Sequence, residues 1–204
     1  DRPQMQALKM GALLGVAQGS DAPPKFIILE HNPDKKDDGN TVVLIGKGVT
    51  FDTGGYSLKT RDGMIGMKAD MSGGAAVIGA MHTIAQLDVP LHVVGLIPAS
   101  DNMVSSKAYR PQEVLTASNG TTIEIISTDA EGRMVLSDTL ALASKEKPSL
   151  ILDYATLTGA CMYSIGTSYS GVFTNKKEWH ADLIKAGEDS GERVWPFPLD
   201  EDFD

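Results

Sequence analysis

Along the chain the spacing of apolar and polar positions changes repeatedly, and each change predicts an element. Residues 5–18 are rich in Ala and Leu at helical spacing and stop at Gly19-Ser20, which reads as a helix. Residues 25–30 read as a strand, and 32–40, with a proline, a glycine and several aspartates, as an exposed loop. The β-branched run 41–46 reads as a central strand. Beyond a glycine-rich passage, Val77, Ala80, Met81, Ile84 and Leu87 share one face of a helix at 73–87. Strands are predicted at 91–98, 121–126 and 150–154, with a helix at 133–145. A short strand at 171–174 and a helix at 179–189 follow. Strands alternating with helices predict an α/β fold, a three-layer α/β/α arrangement on a mainly parallel central sheet.

In such sheets functional groups collect beyond the C-terminal ends of the strands. The strand at 41–46 leads into Gly46-Lys47-Gly48-Val49-Thr50-Phe51-Asp52-Thr53-Gly54-Gly55, with a lysine five residues before an aspartate. The spacing matches neither a Walker loop nor a dinucleotide fingerprint, so the glycines are expected to bend the backbone until Lys47 and Asp52 converge. In Met67-Lys68-Ala69-Asp70-Met71-Ser72-Gly73-Gly74, Asp70 precedes a helix, and a plain helix-capping role for the Asp70/Ser72 pair stays open. The strand at 121–126 runs into Ser127-Thr128-Asp129-Ala130-Glu131-Gly132-Arg133, where two carboxylates open a helix and compensation of the helix dipole is the simpler alternative.

Composition narrows the classes. With 42% apolar and 22% charged residues over 204 positions, the chain has the profile of a soluble globular protein able to bury a core. No apolar run approaches the roughly 20 residues of a membrane-spanning helix. A net charge of −9, with scattered Lys and Arg, argues against general nucleic-acid binding through this segment. The one small basic cluster, Lys35-Lys36, is flanked by Asp34, Asp37 and Asp38. Cys161 is the only cysteine, so no internal disulfide is available and a cytoplasmic setting is expected; it reads as a buried small hydrophobe. The chain starts at Asp1 and stops on the acidic stretch 200–204, so it reads as a segment of a longer protein. Histidines at 31, 82, 92 and 180 form no zinc-protease pattern, and His82, within the helix at 73–87, reads as a surface or helix-packing residue. No serine or cysteine nucleophile elbow is present. The nine methionines, Met67 excepted, are read as core, and Trp195 as a packing anchor.

Taken together, Asp52, Asp70, Asp129 and Glu131 fall at strand-to-helix junctions, and such a cluster repels itself unless cations neutralise it. Oxygen-rich sets suit Mn2+, Mg2+, Co2+ or Zn2+, and four carboxylates serve two ions if some bridge.

Three passages, 46–59, 67–74 and 128–138, resemble the signature regions of the leucyl aminopeptidase family, which includes the bacterial aminopeptidases A and B. The last, Thr-Asp-Ala-Glu-Gly-Arg-Met-Val-Leu-Ser-Asp, is the most specific, and Asn102-Met103, Arg110-Pro111, 153–159 and 191–198 extend the likeness over nearly the whole chain. The resemblance implies an exopeptidase holding two divalent ions per subunit, Mn2+ or Zn2+ with Mg2+ or Co2+ as alternatives. Asp52 and Glu131 would bridge them, Lys47 and Asp70 would complete the tighter site, and Asp129 would serve the more exchangeable one. As a ligand Lys47 must be neutral, so the metals would have to depress its pKa. Lys59 would stay cationic and stabilise the oxyanion. Arg133, with the amides around Gly132, would hold a bicarbonate acting as general base. Met67, Thr156, Leu157 and Gly159 would line a pocket for leucine-like side chains. The implied substrates are peptides with a free N-terminus, and the implied assembly a cytoplasmic homo-hexamer.

Two positions depart from the family pattern. Ser127 stands where Asn is usual, changing a hydrogen bond near the ligands but no ligand. Thr60-Arg61-Asp62 stands where a proline-containing stretch is expected. Residues 1–204 are read as part of the catalytic domain, lacking the family's N-terminal domain and the catalytic domain's end. A non-catalytic scaffold or DNA-binding regulator is the alternative, which the seven intact key positions, Lys47, Asp52, Lys59, Asp70, Asp129, Glu131 and Arg133, argue against. A two-metal phosphatase or nuclease fits the carboxylates but neither Lys47 nor the 128–138 signature.

Overall fold

The computed structural model describes residues 1–203; Asp204 of the acidic terminus and the side chains of Asp37, Asp38 and Phe203 lie outside what is described. The chain divides into two compact units, Asp1–Thr156 and Leu157–Asp204.

In the first unit the N-terminal apolar stretch forms two helices, α1 (Arg2–Ala7) and α2 (Gly11–Ala17), rather than the single one its periodicity predicts. Asp1 caps α1 in a capping box. Lys9 between them adopts φ 57. The break lets Met5 and Met10, five positions apart and off one helical face, both reach the interior.

The sheet contains β1 (Lys25–His31), β2 (Val42–Gly46), β3 (Gly48–Asp52), β4 (Val93–Asn102) and, numbered after a separate hairpin, β7 (Leu150–Tyr154). Its order is β1-β4-β2-β7, with β3 also on β4; β1 is antiparallel and every other pairing parallel. The loop expected at 32–40 contains a 3-10 turn, Pro33–Asp38. β2 and β3 run as nearly one strand beside β4. The partner offset is 51 from Val42↔Val93 through Val49↔Ser100 and 50 at Asp52↔Asn102. Sequence reading missed β3 because Gly-Lys-Gly imitates a turn; β4, longer than predicted, supplies the partner that makes it a strand.

Strand alternation distributes the core. Val43 and Ile45 pack with Leu96, Leu136 and Ala143 on one face, while Leu44 packs with Val77, Met81, Val93 and Ile97 on the other. Each such side chain contributes about 1.5–3 kcal/mol on full burial. The first face is covered by α5 (Glu131–Lys145) and the second by α4 (Ser72–Gln86), with the short α3 (Arg61–Met64) preceding α4. This is the predicted three-layer α/β/α arrangement. Residues 114–124 correct the expectation: β5 (Val114–Thr116) and β6 (Thr122–Glu124) form an antiparallel hairpin apart from the main sheet. Six residues at 121–126 look like a strand in isolation, but only three pair, and their partner is the adjacent β5.

The second unit has α6 (Ala160–Ile165), β8 (Ser170–Val172), α7 (His180–Ser190) and β9 (Val194–Pro196), with β8 and β9 parallel. Phe173 and Phe197 stack with centroids 5.2 Å apart, and Arg193 lies over the Tyr169 ring. Trp195, expected as a packing anchor, is 53% exposed, and Met162 is likewise exposed; Cys161 is half-buried. His82 is exposed on α4, as predicted. Among the described residues no helix is long and apolar enough to cross a membrane.

Candidate metal centre

The predicted ligands come from three places at one end of the sheet. Lys47 interrupts the β2–β3 strand, and its N–H donates to Tyr154 O of β7 at 2.9 Å. Asp52 ends β3 beyond the register shift that turns it relative to β4. Asp70 follows the 3-10 turn Met67–Ala69, just ahead of α4. Asp129 lies in the 3-10 turn Thr128–Ala130, and Glu131 is the first residue of α5. Ser127, the departure from the family pattern, accepts Asp129 N–H on its Oγ at 3.2 Å and so shapes that turn.

These side chains converge around two lysines. Lys47 Nζ stands 2.9 Å from Asp70 Oδ1 and 2.8 Å from Glu131 Oε1. Lys59 Nζ stands 2.9 Å from Asp52 Oδ2 and 2.6 Å from Asp129 Oδ1. Lys47 and Asp52 therefore converge through separate ion pairs rather than by touching. The left-handed glycines are Gly54 and Gly55, which turn the chain after Asp52 toward Lys59; Gly46 and Gly48 are not in that region. The capping reading of Asp70 fails: α4 has no side-chain cap, Ser72 Oγ donates to Ala69 O, and Asp70 Oδ1 instead accepts from Thr156 Oγ1 at 2.7 Å.

Electrostatically the buried trio has one cation for two anions. Burial opposes charge on Lys47 most strongly, yet Glu131 and Asp70 outweigh it and raise the ammonium above its ordinary value. Burial also raises Asp70 and Glu131, against the pull of Lys47. All three shifts run in one direction, toward the protonated form relative to each group in water. For Lys59 burial again works against the charge, and hydrogen bonds to Asp129 and Asp52 overcome it, so the amine is raised.

The donor set suits divalent cations. Asp52, Asp70 and Glu131 each offer an oxygen within 4.8 Å of the others, and all three are buried. Asp70 Oδ2 and Glu131 Oε2 are buried without a hydrogen-bond partner. An unsatisfied buried acceptor costs about 1–3 kcal/mol, more when charged, so two within one three-carboxylate cluster point to a cation that uses them. Hard oxygens with one amine fit Mn2+, Mg2+, Co2+ or Zn2+.

Of the remaining predicted residues, Arg133 is exposed in the first turn of α5 and has no ion pair among the described residues. Met67 is half-buried in the turn before Asp70. Thr156, expected in a substrate pocket, is tied to Asp70 and accepts Lys47 Nζ on its carbonyl at 3.1 Å. Leu157, 44% exposed, and Gly159 belong to the second unit.

Sequence reading gave no role to Asn102, Thr128, Tyr109 or Asp138, all buried. Thr128 Oγ1 donates to Gly54 O at 2.6 Å and accepts from Ser57 N at 2.8 Å, joining the loop after β3 to the turn before α5. Asp138, the last residue of the 128–138 signature, accepts from Leu13 N at 2.9 Å and Ser118 N at 2.7 Å. The spacing of Asp138 from Glu131, seven residues or about two helical turns, was the available signal that both face inward.

The whole chain, residues 1–204, matches the catalytic-domain model of the cytosol aminopeptidase family. A "Probable cytosol aminopeptidase" of Chlorobium limicola is 48% identical over 204 residues, and one of Geotalea uraniireducens is 51% identical over 199. A third, from Azoarcus sp., is 49% identical over 199 residues. These matches cover 98–100% of this chain, which spans about 40% of the length of each relative. With its signature residues gathered around one acidic centre, the chain belongs to the cytosol aminopeptidase family.

Proposed function

We propose that this chain carries the metal centre of an exopeptidase that removes N-terminal residues, leucine-like ones by preference, from peptides with a free N-terminus. The observation that carries the reading is the pair of orphaned buried carboxylate oxygens, on Asp70 and Glu131, inside a three-carboxylate cluster. The names of the relatives support the same activity.

Two divalent ions, Mn2+ or Zn2+ with Mg2+ or Co2+ as alternatives, would be held by Lys47, Asp52, Asp70, Asp129 and Glu131 and would supply Lewis acidity and a water acidic near neutral pH. Lys59, whose amine is held protonated by Asp52 and Asp129, is suited to stabilise a developing oxyanion. Arg133, exposed at the start of α5, is suited to hold a bicarbonate with the helix N-terminal amides. A bicarbonate held there would supply a general base. Met67 and Thr156 are assigned to the pocket for the first side chain, and a cytoplasmic homo-hexamer to the full-length protein. The missing length relative to the curated relatives would hold an N-terminal domain and the rest of the catalytic domain.

The test is hydrolysis of leucine amide or leucine anilide by the full-length protein, with Mn2+ or with a chelator. Metal-dependent turnover that disappears in Glu131→Ala is expected. Turnover indifferent to the chelator, or kept by Glu131→Ala, sinks the assignment.

A further inference from the structure

Asn102 ends β4, is 0% exposed and stands opposite Asp52 in the parallel pairing with β3. Its Nδ2 donates to Asp52 Oδ1 at 2.8 Å and to Thr128 O at 3.0 Å. Two acceptors on one atom fix the amide orientation, since only the NH2 end can serve both. Its backbone carbonyl accepts from Thr53 N at 3.0 Å and Thr53 Oγ1 at 2.8 Å. One residue thus grips the chain on both sides of the Asp52–Thr53 peptide and also the turn that carries Asp129 and Glu131.

The consequence for Asp52 is specific. Its Oδ1 receives Gly54 N–H at 2.8 Å as well as Asn102 Nδ2, so both lone pairs of that oxygen are used. Only Oδ2 is left to face a cation, and in this structure it faces Lys59 Nζ at 2.9 Å. Without Asn102 the Oδ1 atom keeps only the Gly54 N–H, and the carboxylate is less constrained about χ2, a broad and soft torsion for Asp. The two ligand groups, Asp52 on β3 and Asp129 with Glu131 after Thr128, would then lose the tie that runs directly from the Asp52 carboxylate to the Thr128 carbonyl.

We infer that Asn102 is a positioning residue for the metal pair, presenting Asp52 through Oδ2 alone and fixing its spacing from the Asp129–Glu131 turn. The inference rests on the metal reading above. Hydrogen-bonding partners that orient metal ligands typically change affinity by about 10–100-fold when removed.

Tyr109 supplies an internal comparison. Its hydroxyl donates to the same Thr128 carbonyl at 2.8 Å, is as deeply buried, and does not touch Asp52. The experiment measures Mn2+ dissociation constants of the full-length protein by competition with a chromophoric chelator, for wild type, Asn102→Ala, Asn102→Ser and Tyr109→Phe, each with its Tm. The expected result is a roughly 10–100-fold weakening in both Asn102 variants and less than about threefold in Tyr109→Phe. Activity of the Asn102 variants should recover at least partly as Mn2+ is raised. Wild-type affinity in a folded Asn102 variant overturns the positioning role, as does equal weakening in Tyr109→Phe. If both Asn102 variants fail to fold even with excess Mn2+ while Tyr109→Phe folds, Asn102 belongs to the folding framework and the role is again overturned. Absence of Mn2+ binding by the wild type would instead strike the metal reading itself.

Discussion

Lys47 lies across the backbone of Gly132, so close that a Cβ added there would stand 2.8 Å from the lysine's Nζ and 2.8 Å from its Cε. The residue at the second position of α5 therefore has to be glycine for the amine to sit between Asp70 and Glu131. This explains a glycine in a helix, where it costs about 1 kcal/mol relative to alanine.

Gly132→Ala should separate folding from chemistry. The atoms in the way are the far end of a flexible side chain, so the backbone need not shift, and alanine favours the helix. Lys47 must leave its position, and a displacement of about 1 Å at a reacting centre can cost on the order of 100-fold in rate. Leucine-anilide hydrolysis should fall by about that factor with Tm within a few degrees of wild type. A folded Gly132→Ala protein with normal turnover would show that the placement of Lys47 is unimportant.

Lys59→Met keeps an unbranched side chain one atom shorter and removes its charge. If Lys59 stabilises an oxyanion, kcat should drop about 100- to 1000-fold with KM for leucine anilide little changed. Steady-state kinetics at saturating Mn2+ decide it. A rise in KM alone would make Lys59 a substrate-binding group.

Metal affinity should climb with pH. The Lys47 ammonium is raised above its ordinary value, so the metal-free site holds a proton on that amine which a cation must displace before the nitrogen can bind it. Each displaced proton strengthens apparent binding about tenfold per pH unit below the pKa that it leaves. Calorimetry of Mn2+ binding from pH 6 to 8 in buffers of different ionisation enthalpy counts the protons released. A pH-independent affinity with no proton release would contradict the ammonium assignment for Lys47.

Asp138 offers a stability test remote from the ligands. Burial raises its folded pKa against the pull of the Leu13, Ser118 and Ala12 amides. A raised folded value means that its titration contributes stability below the ordinary value of 3.8, and that this contribution is lost as pH rises through the folded value. Asp138→Asn removes the charge but turns an NH2 against a backbone N–H, since both carboxylate oxygens accept from amides. The mismatch should cost about 1–3 kcal/mol at neutral pH, measured by urea unfolding. An unchanged or stabilised variant would mean that relief of the buried charge outweighs the lost bonds.

The sequence made the parts visible unevenly, for physical reasons. Strand 150–154 was legible to the residue because its apolar run is bounded cleanly, and α4 and α5 carried clear helical faces. β3 was not legible: a strand opening with glycine is sustained by pairing along β4, which no local pattern reveals. The hairpin at 114–124 failed for the opposite reason, since a short β-branched run says nothing about which sheet it joins. Asp52, Asp70, Asp129 and Glu131 could be singled out by type and position after strands. Asn102 could not, because an asparagine at a strand end is unremarkable until Asp52 is seen opposite it. Thr156 was noticed for a side-chain pocket, while the structure ties it to Asp70.

The two lysines among the carboxylates bear on the order of events in the life of the protein. A ring of four acids that depended on imported ions would have to wait for them before its walls could close. Here Lys47 and Lys59 arrive on the same polypeptide and bring positive charge with them. On the metal reading proposed above, closure of the chain would precede loading of the ion, because the neutralising charge is already built into the polypeptide.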